Sequence, residues 1–337
     1  MVKRGKSLST IPQIALIGCG YWGKNLCRNF HALGALSAVM DASESGQATA
    51  RFIAPNANIS DNFDAILIDD QIQGIALATP AETHAAFAIQ AMRAGKDVFV
   101  EKPMALSISD AEAMQKVANE TSRILMVGHL LEYHPAVLKL RELIDSGEIG
   151  TINYVYSNRL NFGKVRTEEN ALWSFAPHDV AVILRLLGQS PIEVSASGGA
   201  YLTEGIADVT VSNLLFSDNS RAHIFVSWLH PYKEQRLVVV GDKKMAIFND
   251  VNPFGEKLCV YPQSVEFDGK IPLLKKDDAE FIEHADTEPL REECAHFLDC
   301  IKTRNDPLTD ANSGIETLKV LHTCQSSIEQ NGTPISL

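Results

Sequence analysis

The sequence predicts two domains, an α/β domain followed by an α+β domain. Up to about Gly150, short apolar strands alternate with helical stretches of about 10–15 residues. Beyond that point successive strands follow with almost no helix between them. The length of the chain agrees with two domains, because 337 residues at about 150 residues per domain correspond to two.

The first part of the chain has the pattern of a parallel sheet. Its strands are continuously apolar, which indicates that helices cover both faces of the sheet through right-handed crossovers. The predicted strands are 14–17, 36–40, 74–79, 97–100 and 124–127, and the predicted helices are a stretch ending near Leu33, 82–94, 107–119 and 135–145.

The second part predicts a mostly antiparallel sheet, because its strands show partial alternation of apolar and polar residues. The predicted strands are 151–162, 208–217, 221–229, 236–241 and 244–249, with one internal helix at roughly 177–187 and two closing helices at about 289–304 and 312–330. Residues 251–288 are rich in Pro, Gly and charge and predict loop and edge strand. We place the domains at 1–128 and 129–337, with the last helices packing on either domain.

Composition excludes several classes of protein. Thirty Lys and Arg against 42 Asp and Glu give a net charge of −12, which disfavours binding to a nucleic-acid backbone. No apolar run approaches the roughly 20 residues of a membrane span, and no signal-peptide stretch follows the basic residues 1–10, so we expect a cytoplasmic protein. Six scattered cysteines without a CxxC pair predict reduced thiols and no metal site.

A glycine loop, GCGYWG at 18–23, directly follows the first strand and opens a helix. Gly18 suits the tight turn, Gly20 lets the backbone approach a pyrophosphate, and Gly23 lets helix and strand pack closely. Asp41 ends the next strand, where a carboxylate binds ribose hydroxyls and repels a 2′-phosphate. This context is the fingerprint of a Rossmann dinucleotide-binding domain and predicts NAD; the alternative is a glycine turn without a ligand.

Further candidates lie at the carboxyl edge of the predicted sheet, where open α/β sheets bind ligands. Tyr21 and Trp22 either line the cofactor or pack the first helix. Thr79 and Pro80 follow the third main strand. His84, one turn further on, either faces the nicotinamide or lies on a helix surface.

Lys102, within Glu101-Lys102-Pro103, follows strand 97–100. A lysine at this edge can act as acid, base or proton relay once burial lowers its pKa, and the alternative is a surface lysine. The peptide bond before Pro103 is a candidate for the cis form.

His178 and Asp179 lie at the predicted start of helix 177–187, where Asp179 would cap the helix or interact with its dipole. A histidine that titrates near neutrality suits removal of a hydroxyl proton while hydride leaves the same carbon. The alternative is a buried structural histidine.

Together these motifs resemble the glucose–fructose oxidoreductase/inositol dehydrogenase family (Gfo/Idh/MocA). The resemblance covers most of the chain and is weakest at 251–288. It implies a Rossmann domain, then a domain with a large open, mainly antiparallel sheet, and oxidation of a sugar or polyol hydroxyl with NAD or NADP. The matching segments are GCGYWG, TPAETH at 79–84, EKP at 101–103, GH at 128–129, the histidine ten residues before Gly188, PLREECAHFLDCI and DPLTD.

The resemblance also implies roles for single residues. Lys102 would relay protons and position the substrate, His178 would be the general acid/base, and His129 and Tyr133 would line the sugar pocket. Many members carry Asp four residues before the histidine, whereas this chain has Ser174, so proton transfer would rest on Lys102 and His178. The expected cofactor contacts are Gly18, Gly20, Tyr21, Trp22, Gly23, Asp41, Thr79, Pro80, His84, Glu101 and Lys102.

Residues 158–180 are similar to members that oxidise C3 of UDP-N-acetylglucosamine, or of its uronic acid, in lipid A or surface polysaccharide synthesis. There a partner aminotransferase converts the 3-keto sugar. Arg159, Lys164 and Arg166 would bind a diphosphate or uronate, or would form a solvated basic loop beside Glu168. The expected substrate contacts are His129, Tyr133, Arg159, Asn161, Lys164, Arg166, Trp173, His178 and Asp179.

Two other functions stay open. An inositol or hexose dehydrogenase would leave the basic segment unused, and a non-catalytic NAD-binding regulator would not need Lys102 and His178. Strands 208–217 and 221–229 carry apolar residues on both faces, which predicts that a second subunit covers one face. The resemblance likewise implies a homodimer or homotetramer.

Overall fold

The computed structural model describes residues 11–337, so the basic segment 1–10, interpreted above as unlike a signal peptide, lies outside the described residues. The chain forms two compact units. One comprises the described residues up to Gly128 with Leu290–Asn312, and the other comprises His129–Pro289 with Ser313–Leu337. No helix in the described part of the chain has the length and apolar character that crossing a membrane requires.

The first unit is built on a six-stranded parallel sheet, which confirms the predicted fold class. In spatial order its strands are β3 (Asn58–Ser60), β2 (Leu36–Met40), β1 (Ile14–Ile17), β4 (Gly74–Leu77), β5 (Asp97–Glu101) and β6 (Leu125–Gly128). Its helices are α1 (Gly23–Ala32), α2 (Glu44–Ile53), α3 (Phe63–Leu67), α4 (His84–Arg93), α5 (Ile108–Thr121) and α8 (Pro289–Thr303). The central strands β1 and β4 are fully buried, as their continuous apolar sequences predict.

Three elements of this unit, α2, β3 and α3, were not predicted. β3 and α3 span only three and five residues, and α2, although ten residues long, has few large apolar side chains, so no periodic pattern indicates them. Both helices nevertheless carry a local start signal. The Ser43 side chain caps α2 by accepting the backbone N–H of Gly46 at 3.0 Å. The Asn62 side chain caps α3 by accepting the backbone N–H of Ala65 at 3.1 Å.

Helix α8 completes the first unit, although it follows nearly all of the second unit in sequence. The Phe297 ring lies 6.4 Å from the Phe30 ring and 5.9 Å from the Phe99 ring, measured between centroids. Just beyond the helix, Arg304 forms a bidentate ion pair with Asp97 of β5 at 2.6 and 3.0 Å. The helix therefore packs on the first sheet, whereas α9 (Ala311–Glu329) belongs mainly to the second unit.

The second unit contains a nine-stranded sheet in which neighbouring strands are antiparallel, except for the parallel pair β7–β10. In spatial order the strands are β16 (Glu280–Phe281), β13 (Leu258–Tyr261), β12 (Met245–Asn249), β11 (Leu229–Gly241), β7 (Ile152–Phe162), β10 (Arg221–Ser227), β9 (Val209–Leu215), β8 (Glu193–Gly199) and β17 (Ile335–Ser336). One face packs under α6 (Pro135–Asp145), α7 (Ala171–Leu187) and α9. In this core Trp228 is fully buried, and its indole Nε1 donates to Asp208 at 2.5 Å.

Residues 251–288 contain more structure than the loop and edge strand predicted. β13 is an inner strand and β16 is an edge strand of the large sheet. Between them, β14 (Ser264–Asp268) and β15 (Ile271–Lys275) form a separate two-stranded hairpin with exposed side chains.

The predicted start of the internal helix is wrong. Helix α7 begins at Ala171, because the Asn170 side chain accepts a backbone N–H of the first turn at 3.2 Å. Pro177 favours the first turn of a helix, which suggested a start there, but it lies inside α7. His178 and Asp179 are therefore interior helical residues, and Asp179 does not cap the helix.

Candidate active site

The glycine loop of the first unit is crowded at two of its glycines and open at the third. A Cβ at Gly18, whose φ is +89°, would lie 2.8 Å from the Ala78 carbonyl oxygen. A Cβ at Gly23 would lie 2.1 Å from the Gly18 carbonyl oxygen, whereas one at Gly20 would meet no atom within 4 Å. The turn thus requires two glycines, and the third borders open space of the kind a bound pyrophosphate occupies.

Asp41 follows β2 close to this loop, and both of its carboxylate oxygens accept hydrogen bonds. Oδ2 accepts the backbone N–H of Cys19 at 2.6 Å, and Oδ1 accepts the backbone N–H and hydroxyl of Ser43 at 2.8 and 2.7 Å. Burial raises the pKa of Asp41, but these hydrogen bonds outweigh it and hold the pKa below its ordinary value. The carboxylate is ionised at neutral pH, and its charge opposes a 2′-phosphate.

The two aromatic residues of the loop have different environments. Tyr21 is 78% exposed, and the Lys24 ammonium lies 5.4 Å from its ring centroid. Trp22 is 37% exposed, and its indole Nε1 donates to Glu101 Oε1 at 2.5 Å. The loop is therefore tied through Trp22 to the end of β5.

His84 is buried at the start of α4. Its ring nitrogens lie 2.9 Å from the Thr79 carbonyl oxygen and 3.0 Å from that of Pro103. Burial lowers the pKa of His84, so the neutral ring donates to one of these carbonyls. His84 thus links the Thr79-Pro80 turn to the segment after Lys102, and it is buried and not on the helix surface. Its place beside the nicotinamide stays a prediction.

β5 ends in a carboxyl group followed directly by a lysine. Lys102 is half-buried, and the Lys102–Pro103 peptide bond is cis. Glu101 is buried, and burial raises the pKa of its carboxyl to about 7, although the Trp22 indole and Lys102 oppose the rise. This strand end therefore places a carboxyl group that titrates near neutral pH directly before the Lys102 side chain.

In the second unit, the residue after His178 anchors helix α7 to strand β7. Asp179 is buried and accepts two hydrogen bonds from Arg159, from Nε at 2.7 Å and from Nη2 at 3.1 Å. The Ser157 hydroxyl donates to the same carboxylate at 2.6 Å. These contacts fix the helix at the turn that carries the half-buried His178.

The basic segment is less available to a ligand than its sequence predicts. The Arg159 guanidinium is occupied by Asp179, and Arg166 lies 3.1 Å from Glu169 and 3.8 Å from Glu168. Lys164 is exposed. Two of the three predicted phosphate-binding cations are thus paired with carboxylates.

The remaining predicted substrate contacts belong to three places in the second unit. His129 and Tyr133 are buried where this unit begins, and Asn161 is half-buried on β7. Trp173 packs edge-to-face against His322, with 5.0 Å between ring centroids. Ser174, at the position where many family members have Asp, is buried within α7.

Sequence reasoning missed a charged cluster around Asp250. The Lys257 ammonium donates to Asp250 Oδ1 at 2.5 Å, and His134 Nε2 lies 3.4 Å from the same oxygen. Burial raises the pKa of Asp250, but these partners outweigh it and hold the pKa well below its ordinary value. The cluster joins residues more than a hundred positions apart, so no local motif indicates it.

Among residues 11–337, no group of three or more His, Cys, Asp or Glu side chains is arranged to hold a metal ion. All six cysteines are buried thiols.

Comparison with known proteins identifies the family. Residues 13–129 match the model described as "Oxidoreductase family, NAD-binding Rossmann fold", and residues 137–247 match the Gfo/Idh/MocA C-terminal domain. UDP-N-acetylglucosamine 3-dehydrogenase of Acidithiobacillus ferrooxidans is 26% identical over 305 residues, which are 90% of this chain and 93% of that protein.

Two further similarities support the assignment. The 2,7-anhydro-N-acetylneuraminate hydratase of Mediterraneibacter gnavus is 29% identical over 245 residues, covering 68% of this chain and 65% of that protein. The solved structure of the Acidithiobacillus ferrooxidans 3-dehydrogenase superposes with a TM-score of 0.83 at 24% identity, covering 94% of this chain and 97% of that one, and shows the shared fold. The chain therefore belongs to the Gfo/Idh/MocA family of NAD-binding oxidoreductases.

Proposed function

We propose that this protein is an NAD-dependent dehydrogenase of a UDP-linked N-acetyl sugar, oxidising C3 of UDP-N-acetylglucosamine to the 3-keto sugar. One observation carries this proposal: the similarity to a 3-dehydrogenase of that sugar nucleotide extends over 90% of the chain. A 3-keto sugar is a substrate for an aminotransferase, so we propose that such an enzyme consumes the product.

The preference for NAD over NADP is supported by Asp41. Its hydrogen bonds keep it ionised, and a negative charge at the end of β2 disfavours a 2′-phosphate while accepting ribose hydroxyls. The open space at Gly20 fits the pyrophosphate of NAD. When bound, NAD supplies the hydride acceptor.

Two side chains of this protein handle the hydroxyl proton. In this proposal His178 removes that proton, and Lys102 positions the hydroxyl and relays the proton. Asp179 and Arg159 position His178 by holding α7 on β7. Lys164 is exposed in the basic segment and is our candidate for the diphosphate contact. His129, Tyr133, Asn161 and Trp173 stay predicted substrate contacts.

The test is a substrate panel with matched variants. Purified protein is mixed with NAD or NADP and with UDP-N-acetylglucosamine, its uronic acid, UDP alone, inositol or hexoses, and NADH is followed by absorbance. A sugar aminotransferase is added in parallel, because the equilibrium of alcohol oxidation favours the alcohol and amination removes the ketone. K102M and H178N should each lower turnover by about 10²–10⁴ without loss of fold.

The control is K116M, which removes an exposed lysine paired only with Glu120. It should leave turnover unchanged. Saturable NADH formation with inositol but not with UDP-sugars would indicate the inositol or hexose dehydrogenase. Near-normal turnover of both K102M and H178N would contradict the assigned roles.

Two alternative functions predict that no NADH accumulates. A hydratase, the activity named for the Mediterraneibacter gnavus relative, adds water without net change of NAD, so mass spectrometry of the sugar would show an added water and no ketone. A non-catalytic NAD-binding regulator would leave every sugar unchanged, also in the presence of the aminotransferase.

A further inference from the structure

A hydrogen bond within the first unit connects the glycine loop to the strand end that carries Lys102. The Trp22 indole donates to Glu101 Oε1 at 2.5 Å, although the two residues lie 79 positions apart in sequence. Trp22 is the last residue of the loop before α1, and Glu101 is the last residue of β5. This bond ties a side chain of the loop to the end of the strand that precedes Lys102.

The sheet leaves room for the Glu101 carboxyl group. Gly128 of β6 lies opposite Glu101 in the strand register, and a Cβ added there would be 3.1 Å from Glu101 Oε2 and 3.2 Å from the Phe99 ring. A side chain at position 128 would therefore push against the carboxyl group. The Lys102 backbone N–H faces the same oxygen, Oε2, at 3.3 Å, so one oxygen is held by the strand and the other by the indole.

The charge of this carboxyl group changes near neutral pH. Burial raises its pKa to about 7, against the opposing effects of the Trp22 indole and of Lys102. Of the groups that face it, the glycine loop contributes Trp22 and β6 contributes Gly128, neither of which titrates. Lys102, the residue after β5, is the charged neighbour. An indole N–H bonds about twice as strongly to a carboxylate as to a neutral acceptor.

We propose that Glu101 is a positioning residue, whose carboxylate holds Trp22 and thereby fixes the glycine loop in the form that receives NAD. The ionised carboxylate holds the indole strongly above neutral pH, and the protonated group holds it weakly below. NADH affinity then depends on pH through the shape of the loop, and not through a change in direct contacts of Glu101 or Trp22 with the cofactor. This inference requires only NAD binding and is independent of the sugar.

The first experiment measures NADH affinity by its intrinsic fluorescence between about pH 6 and pH 8.5, without any sugar. The wild-type dissociation constant should rise about fivefold toward acid pH, with a midpoint near the pKa of Glu101. E101Q keeps an acceptor oxygen that does not titrate, so its dissociation constant should be flat across this range. W22F removes the donor and should be flat as well, at or above the wild-type acid value.

The second experiment reads the bond directly. The sequence contains three tryptophans, so the Trp22 indole N–H resonance is assignable by its loss in W22F. In the protein without ligand, this resonance should shift with pH around neutrality in wild type and should not shift in E101Q. A resonance that does not titrate in wild type overturns the proposal.

W228F is the matched control, because Trp228 makes the same kind of indole–carboxylate bond, to Asp208 at 2.5 Å, in the other unit. It should lower the melting temperature and leave the pH dependence of NADH binding intact. The same loss of pH dependence in W228F would assign the effect to general stability and refute a positioning role. Tighter NADH binding at acid pH in wild type would also refute it, since it would indicate repulsion between Glu101 and the cofactor.

Discussion

Arg159 offers a sharp test, because sequence and structure give it different roles. The sequence presents it as a cation for a diphosphate, whereas the structure pairs it with Asp179. The Arg159 side chain is 14% exposed and that of Asp179 is 2% exposed. R159M would leave the Asp179 carboxylate buried, with the Ser157 hydroxyl as its remaining side-chain donor.

The expected loss of stability is large. Removing one partner of a buried ion pair costs about 3 kcal/mol or more, because the other charge is left uncompensated. At about 2–4 °C per kcal/mol for a domain of this size, R159M should lower the melting temperature of the second unit by about 6–12 °C. R159M/D179N removes the uncompensated charge and should recover part of this loss, so that the double-mutant cycle shows coupling.

The assay is differential scanning calorimetry together with the KM for the sugar nucleotide. K164M serves as the comparison, since it removes an exposed positive charge from the same segment. K164M should leave the melting temperature within about 1 °C of wild type, as is usual for surface changes, and should raise KM. If R159M keeps its melting temperature and raises KM instead, then Arg159 is a ligand-binding cation and the anchoring argument is wrong.

Three further predictions concern the cofactor loop, the charged cluster and the sheet face. G20V should raise the NADH dissociation constant at least about tenfold with little change in melting temperature, because a Cβ at Gly20 meets no protein atom within 4 Å. G23A should instead destabilise the fold, because its Cβ would lie 2.1 Å from a backbone oxygen. Normal NADH binding by G20V would contradict this. D250N should be less stable than wild type to urea at pH 7, and this difference in stability should shrink below about pH 3. A carboxyl group whose pKa is lowered in the folded protein stabilises the fold above its ordinary pKa of about 4, and it loses that contribution when it is protonated. A deficit that is constant with pH would exclude an electrostatic cause. Light scattering at micromolar concentration should show a dimer or tetramer that V211E dissociates, since Val211 is 37% exposed on the large sheet, and a monomeric wild type would refute this assembly.

The sequence was most informative where the physical signal is local. The glycine loop is recognisable because the turn at Gly18 and the close approach at Gly23 each exclude a side chain. The apolar strands β1 and β4 are recognisable because both faces of the parallel sheet are covered. The α2–α3 region was missed because β3 and α3 are too short for periodicity and α2 has few large apolar residues. The caps Ser43 and Asn62 were the available signals.

The misjudged features depend on contacts between residues that are distant in sequence. Pro177 suggested a helix start, but the cap at Asn170 begins α7 earlier, and the proline is accommodated inside the helix. The pairing of Arg159 with Asp179 joins a strand to a helix across 20 positions, and no spacing rule indicates it. The burial of His84 between two backbone carbonyls was not indicated either, because one of them, that of Pro103, lies 19 positions away.

The return of α8 to the first sheet has a consequence for synthesis of the chain on the ribosome. Phe30 and Phe99 emerge early, but Phe297, which packs on both, emerges about 170 residues after β6 is complete. At about 5–20 residues per second, the nascent NAD-binding unit waits about 8–34 s before its own chain can cover this surface. Its strands are therefore exposed to misassociation during that interval, and slow translation of the second unit should increase the demand for chaperones.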